Sequence, residues 1–69
     1  MAKKRNLKQL RKDAGLTQEQ VASKLGVSHD TIGRWESGST MPSAAQAVLI
    51  CQTYGVQFQD VKWELKNEK

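Results

Sequence analysis

Cysteine occurs once in this chain, at Cys51, and histidine once, at His29. One thiol cannot close an internal disulfide, and one cysteine with one histidine falls short of the cluster a structural zinc requires. The core must therefore hold by apolar packing alone. Long apolar runs are missing as well. None approaches the roughly 18 residues of a membrane-spanning helix, and the basic N-terminus is not followed by the apolar stretch of a secretory signal. A soluble, cytoplasmic chain without a membrane partner is expected. At 69 residues the chain holds one small domain, which buries only about 60% of the surface its unfolded form exposes and leaves no interior to enclose a substrate. No carboxylate pair has a spacing suited to catalysis, Cys51 falls on an apolar helix face as a small core residue, and nothing points to a metal, a cofactor or a small-molecule ligand. An enzyme is not expected.

Acid is absent from residues 1–12, which carry Lys3, Lys4, Arg5, Lys8, Arg11 and Lys12. That segment is +6, while the other 57 residues, with five basic and seven acidic side chains, sum to −2 and bring the net charge to +4. A cation field focused at one end suits a polyanion partner. A basic tail kept for solubility stands beside that reading, since a pI near 9.5 is by itself weak evidence for nucleic acid.

Strand signals are sparse and helix punctuation is dense. Asn6 with Gln9, Thr17 with Gln20, and Ser43 with Gln46 each have the capping-box spacing, in which cap and N3 side chains satisfy orphan N–H groups reciprocally; Ser28 is a fourth, weaker cap. Gly15, Gly26, Gly38 and Gly55 stand just past stretches of helical apolar spacing, where helices stop. This predicts an all-α domain with helices over about 6–14, 18–25, 29–37 and 43–54. Leu7, Leu10 and Ala14 share one face, as do Val21, Ala22 and Leu25, and Ile32 with Trp35; these are core positions. The fourth segment places Ala44, Ala47, Ile50, Cys51 and Tyr54 on one side, and Val48 and Leu49 widen its apolar arc into a candidate contact surface. After Gly55, Val56 and Phe58 are expected to plug the open end of the bundle, with a short fifth helix over 57–62. From Val61 the apolar period moves towards 2 through Trp63 and Leu65, leaving a helix end, an edge strand or a frayed tail open for 61–69. The domain then divides into a basic arm at 1–5, a helical core at 6–61 and a C-terminal tail at 62–69.

Gln18–Leu25 and His29–Ser37, joined only by Gly26-Val27-Ser28, are too closely linked to lie antiparallel and must cross at a wide angle, the geometry of a helix-turn-helix. Ala22 is small where the helices touch, Gly26 takes the left-handed turn, and Val27, Ile32 and Trp35 lock the second helix onto the first. With Leu16-Thr-Gln-Glu-Gln-Val-Ala22, Leu25-Gly-Val-Ser28 and Thr31-Ile-Gly-Arg-Trp-Glu-Ser-Gly38, residues 6–61 resemble the XRE family of DNA-binding domains, the lambda-repressor-like fold of Cro and CI-type phage repressors. The resemblance implies a compact four- to five-helix domain, here with a possible short C-terminal extension, whose second motif helix enters the major groove of double-stranded DNA.

On that alignment His29, Asp30, Gly33 and Arg34 fall at base edges. Arg34 can fork onto guanine, Asp30 can accept from cytosine, and His29 can donate or accept. Asp30 is equally explained by the dipole of its own helix N-terminus, and Gly33 is either a point of close backbone approach or a tolerated weakness in the helix. The family role of the glutamine that opens the first motif helix, holding a phosphate and bracing the recognition helix, passes to Gln18, which also suits an exposed helix position. Ser28, Ser37, Ser39 and Thr40 flank the recognition helix as hydroxyl donors to phosphate, with turn or cap roles open for Ser28 and Thr40. Arg11 and Glu36 match a family ion pair that fixes geometry without reading bases. Lys3, Lys4 and Arg5 precede a helix N-terminus, where cations oppose the dipole, so phosphate contact is the reading for this arm, with Lys8 and Lys24 beside it.

Two departures from the family pattern stand out. The loop Ser39-Thr40-Met41-Pro42-Ser43 lacks the arginines some relatives send towards the minor groove, and no second domain for sensing or oligomerisation is expected. Half-sites one helical turn apart require two copies, so Val48, Leu49, the 55–60 turn and Trp63 are the candidate homodimer contacts; for Trp63, packing back over its own core is the other reading. The function this implies is a sequence-specific transcriptional regulator, most simply a Cro-like repressor on an inverted-repeat operator. The alternative is a protein-interaction module of the same fold, an antitoxin or anti-repressor partner whose tail docks another protein.

Overall fold

The computed structural model describes residues 4–63, folded as four α-helices and one 3-10 turn: α1 Leu7–Asp13, α2 Gln18–Leu25, α3 His29–Ser37, α4 Ala44–Tyr54 and the turn Phe58–Asp60. The helix starts lie where the cap residues put them. Thr17 and Ser43 each accept the backbone N–H of their N3 glutamine, and Gln20 and Gln46 each reach back to the N–H of the cap, completing both boxes. Such caps contribute about 1 kcal/mol apiece, enough to set helix ends at short segments of modest propensity. At Asn6 only half the box forms. The Asn6 side chain accepts from Gln9 N–H at 2.8 Å, but the Gln9 amide turns forward to Asp13 at 3.0 Å, because a carboxylate one turn on is a stronger acceptor partner than the cap backbone is a donor.

The link between α2 and α3 turns on Gly26, held at φ 72° in the left-handed region, where a Cβ would be strained. Val27 N–H then closes back to the Ala22 carbonyl at 3.0 Å, the bond of a Schellman ending, and Ser28 accepts Thr31 N–H to start α3. Val27 packs against the core at this corner.

The core gathers Leu7 and Leu10 from α1, Val21 and Ala22 from α2, Ile32 and Trp35 from α3, Ile50 and Cys51 from α4, and Val61. No polar or charged residue is fully buried among the described residues. Val61, at 1% exposure, closes the base of the bundle, so residues 61–63 leave the helical alternative and take an extended path. Arg5 N–H donates to the Asp60 carbonyl at 3.2 Å and Lys62 N–H to the Arg5 carbonyl at 2.9 Å, a one-residue parallel bridge between Arg5 and Val61. Arm and tail are thus joined to each other at residues 5 and 62. The continuing alternation at Leu65 and the frayed end lie outside the described residues, as does Lys3.

Three core expectations differ. Ala14 is exposed, because α1 ends at Asp13 and Ala14 serves as its C-cap. The fifth helix is only a three-residue 3-10 turn. Phe58 is 58% exposed and plugs nothing; Val56 and Val61 take the space beneath the bundle, and the tight turn throws Phe58 outward to stack on Trp63 at 4.9 Å between ring centroids. Among the described residues no helix is long and apolar enough to cross a membrane.

Candidate nucleic-acid interface

The face of α3 opposite Ile32 and Trp35 presents His29, Asp30 and Arg34 to solvent, with Gly33 half-buried between them and Ser37 one turn further on. Burial of Ile32 and Trp35, at 2% and 6% exposure, fixes which way this face points. His29 Nε2 lies 3.4 Å from Asp30 Oδ1, a contact that becomes an ion pair only when the imidazole is protonated. Arg34 makes no side-chain hydrogen bond or ion pair among the described residues, and the same holds for Lys8 and Lys24. For Arg34 and Lys24 the last turn of a helix is itself a favourable place for a cation.

Behind this face a hydrogen-bonded network ties three helices. Arg11 Nε meets Glu36 Oε2 at 2.6 Å, Arg11 Nη2 meets Oε1 at 3.3 Å, and Arg11 Nη1 donates to the Leu16 carbonyl at 3.0 Å. Their side chains are only 11% and 6% exposed. The hydrogen bond to Glu36 holds the Arg11 pKa above its ordinary value, outweighing the opposing effect of burial. Gln18 joins as a third member, its Nε2 donating to Glu36 Oε1 at 3.1 Å. The N-terminus of α2 is thereby pinned to the C-terminal half of α3. The arginine–glutamate partnership follows from the family pattern, as does a brace from Gln18 onto the recognition helix; that Glu36 is the residue Gln18 meets is what the sequence left unspecified.

The remaining phosphate candidates divide by whether their protons are free. Ser37 Oγ donates to the Arg34 carbonyl at 3.1 Å and lies 3.0 Å from Ser39 Oγ. Each hydroxyl has one proton, so with Ser37's spent on the carbonyl, Ser39 donates to Ser37 and neither offers a proton outward in this conformation. Ser28 accepts Thr31 N–H and exchanges a hydrogen bond with the Thr31 hydroxyl, the duty of a cap. The Thr40 hydroxyl is uncommitted among the described residues. Arg5 is paired with Asp13, both 42% exposed, in a cluster that Gln9 completes; the hydrogen bonds from Gln9 and Arg5 lower the Asp13 pKa. Sequence reasoning missed this pairing, although Arg5 and Asp13 are the two charges that bracket α1.

Two surface depressions accompany these residues. An open recess of about 210 Å³ lies between α1 and α3, lined by Lys8, Gln18, Gly33, Glu36 and Ser37. On another side an apolar groove of about 460 Å³ runs past Met41, Pro42, Ala47, Val48, Phe58 and Trp63. Val48 is 53% exposed and Leu49 42%, while Trp63 is half-buried, its indole N–H donating to the Phe58 carbonyl at 3.0 Å. Trp63 therefore packs on its own chain and still lines the groove. Phe58 is the member of the 55–60 turn that lines it, and Met41 extends the surface beyond the residues the sequence nominates.

Comparison with known proteins is consistent across this region. A helix-turn-helix family model matches residues 7–61, which is most of the chain and includes all four helices. An uncharacterised HTH-type transcriptional regulator of Bacillus subtilis, YgzD, is 33% identical over 60 residues, covering 87% of this chain and 91% of that protein. Another, MJ0272 of Methanocaldococcus jannaschii, is 43% identical over 58 residues, covering 84% and 88%. The antitoxin PezA of Streptococcus pneumoniae is 36% identical over 62 residues, which is 90% of this chain and 39% of PezA.

Proposed function

The chain belongs to the helix-turn-helix family of XRE type, and from that premise we propose that it is a sequence-specific DNA-binding transcriptional regulator, acting as a small repressor that binds an inverted-repeat operator as a homodimer. The observation that carries this reading is the unpartnered Arg34 on the solvent face of a helix whose other face is locked into the core. A guanidinium held on a rigid helix and spared from internal pairing is poised for bidentate contact with guanine O6 and N7. His29 and Asp30, one turn earlier, are the neighbouring base readers. Lys8, Lys24 and Thr40 supply phosphate contacts around them, and Gln18, braced by Glu36, sets the α2 N-terminus against the backbone.

Dimerisation is assigned to the apolar surface of Val48, Leu49 and Trp63. A two-fold contact uses the same patch on both copies, and two chains of net charge +4 meet at least electrostatic cost at the groove past Val48 and Trp63, which no charged residue lines. A second reading, a partner-binding module, draws on the same groove and on the similarity to a protein named as an antitoxin.

Selection of bound sequences from a random duplex library at about 150 mM salt, where non-specific attraction is reduced, tests the proposal. Recovery of an inverted repeat with half-sites about one helical turn apart is expected. Folded protein that recovers no motif would overturn sequence-specific regulation and favour the partner-binding module.

A further inference from the structure

Trp35 is only 6% exposed, and its indole N–H, unlike that of Trp63, makes no hydrogen bond among the described residues. A buried indole N–H normally finds an acceptor. Among the described residues no fully enclosed side-chain nitrogen lacks a partner, so this one opens to the surface. The larger of the two depressions that Trp35 lines is a recess of about 190 Å³ between the start of α1, the end of α3 and the tail. Backbone pairing builds it: the bridge of Arg5 to Val61 and the bond from Lys62 N–H to the Arg5 carbonyl hold the tail beside the start of α1, which makes Trp63 a wall of the same recess.

The polar groups of this recess divide into spent and unspent. Glu36 is occupied by Arg11 and Gln18, and the Ser37 proton goes to the Arg34 carbonyl. Asn6 uses its side-chain oxygen to cap α1 by accepting Gln9 N–H, which leaves its amide NH2 without a protein acceptor. Lys62 adds a positive charge. The remaining walls are Leu7, Met41 and the Trp63 ring. Two unspent donors and a cation beside apolar walls call for an anionic acceptor carried on an apolar body; a bare phosphate would leave those walls unused. The volume lies below the roughly 300–1,000 Å³ of drug-sized sites and equals the space of about six waters, so the occupant is compact.

We propose that this recess binds a small organic carboxylate, its oxygens accepting from the Trp35 indole N–H and the Asn6 amide under the charge of Lys62, and its apolar body packed against Leu7, Met41 and Trp63. The site stands apart from the outward face of α3 and does not depend on the DNA-binding reading. Met41 and Trp63 also line the apolar groove, so an occupant would touch two side chains of that surface.

The test uses the full chain, isotope-labelled on nitrogen for NMR, and benzoate as the probe, with benzamide as its neutral counterpart and inorganic phosphate as an anion without an apolar body. The chain has two tryptophans, so two indole N–H signals are followed, and the signal lost in Trp35→Phe assigns them. Titration to about 20 mM covers the weak affinity that a ligand this small reaches at ordinary efficiency. Benzoate is expected to shift the Trp35 indole signal saturably and the Trp63 signal less, since that N–H is committed to the Phe58 carbonyl. Benzamide should bind at least about tenfold more weakly, the ratio that accompanies loss of a charge-assisted hydrogen bond, and phosphate should leave the signal in place. Asn6→Asp keeps a cap acceptor for α1 while removing the donor NH2 and adding negative charge, so benzoate binding should fall by a similar factor with helix content unchanged in circular dichroism. Absence of a saturable shift with benzoate would leave water alone at the indole N–H and overturn the site. An equal response to phosphate would overturn it in favour of a bare anion seat, an equal response to benzamide would overturn the carboxylate assignment, and parent-like binding by Asn6→Asp would overturn the two-donor geometry.

Discussion

Replacing Glu36 by alanine removes the acceptor on which three hydrogen bonds converge, two from Arg11 and one from Gln18. Arg11 would remain with the Leu16 carbonyl as its one protein partner, a cation whose side chain is only 11% exposed. At that burial the weak energetics of surface pairs do not apply. Breaking a buried pair from one side costs about 3–5 kcal/mol, because the surviving charge stays desolvated and uncompensated. A domain of this length has a total stability of about 3.5–10 kcal/mol at the usual 0.05–0.15 kcal/mol per residue, so the substitution removes a third or more of it. With about 4–8 °C per kcal/mol for domains of this size, the melting temperature should fall by about 12–40 °C. Urea titration followed by circular dichroism measures the loss directly. The paired replacement Arg11→Met with Glu36→Leu supplies the control: removing both charges should return stability to within about 2 kcal/mol of the parent. A Glu36→Ala loss below about 1 kcal/mol, or a double variant as unstable as the single, would refute the view that the pair is held together by the cost of separating it.

Arg34→Ala should relax discrimination at one base pair by about 1–3 kcal/mol and leave random-duplex affinity nearly unchanged, measured by competition with single-substituted operators; equal losses on both duplexes would remove Arg34 from base reading. Gly26→Ala should destabilise the domain by about 1–2 kcal/mol, since its φ of 72° places a Cβ in the left-handed region, and a change under about 0.3 kcal/mol in urea titration would contradict that strain. Val48→Asp, at a position 53% exposed, should alter stability by no more than about 0.5 kcal/mol yet weaken self-association in sedimentation equilibrium; unchanged sedimentation of a self-associating parent would clear α4 of the interface. Tyr54 is the sole tyrosine, and burial, reinforced by Glu36, pushes its pKa from 10.0 up to about 12. A folded pKa above the unfolded one gives stability that is complete below pH 10 and lost as pH rises towards 12. Tyr54→Phe should therefore flatten that alkaline loss by about 1–2 kcal/mol, after allowance for partial exposure of the phenol, and tyrosinate absorbance that titrates near 10 in the folded parent would refute the shift.

The elements that were legible in the sequence are those governed by contacts three or four residues apart. Thr17 with Gln20 and Ser43 with Gln46 are local arrangements, so spacing alone specifies them, and α2 and α4 begin where those boxes say. Asn6 with Gln9 has the same spacing and forms only half a box, because Asp13 competes for the glutamine. Phe58 shows where periodicity runs out. Three residues of 3-10 turn are too few to define a face, so its apolar character was readable and its direction was not. Gln18 illustrates the same limit in the site: residue type and position suit a phosphate ligand, whereas its bond to Glu36 exists only once α2 and α3 have packed.

The pairing pattern also changes what the cation field at residues 1–12 means. The chain has three arginines, Arg5, Arg11 and Arg34. Two are committed to carboxylates within the fold, Arg5 to Asp13 on the surface and Arg11 to Glu36 in a part-buried pair. The uncommitted charge in that segment among the described residues is therefore lysine: Lys4, Lys8 and Lys12. Lysine binds phosphate as a compact point charge and has no planar fork with which to read a base pair. On the DNA-binding reading proposed above, attraction and recognition would thus be carried by different side chains. Lysines on α1 and before it would hold the duplex in a salt-dependent manner, and Arg34 would be the guanidinium left free to discriminate between base pairs. It follows that substituting those lysines should shift affinity without changing the recovered operator, while altering Arg34 should change the operator at nearly constant non-specific affinity.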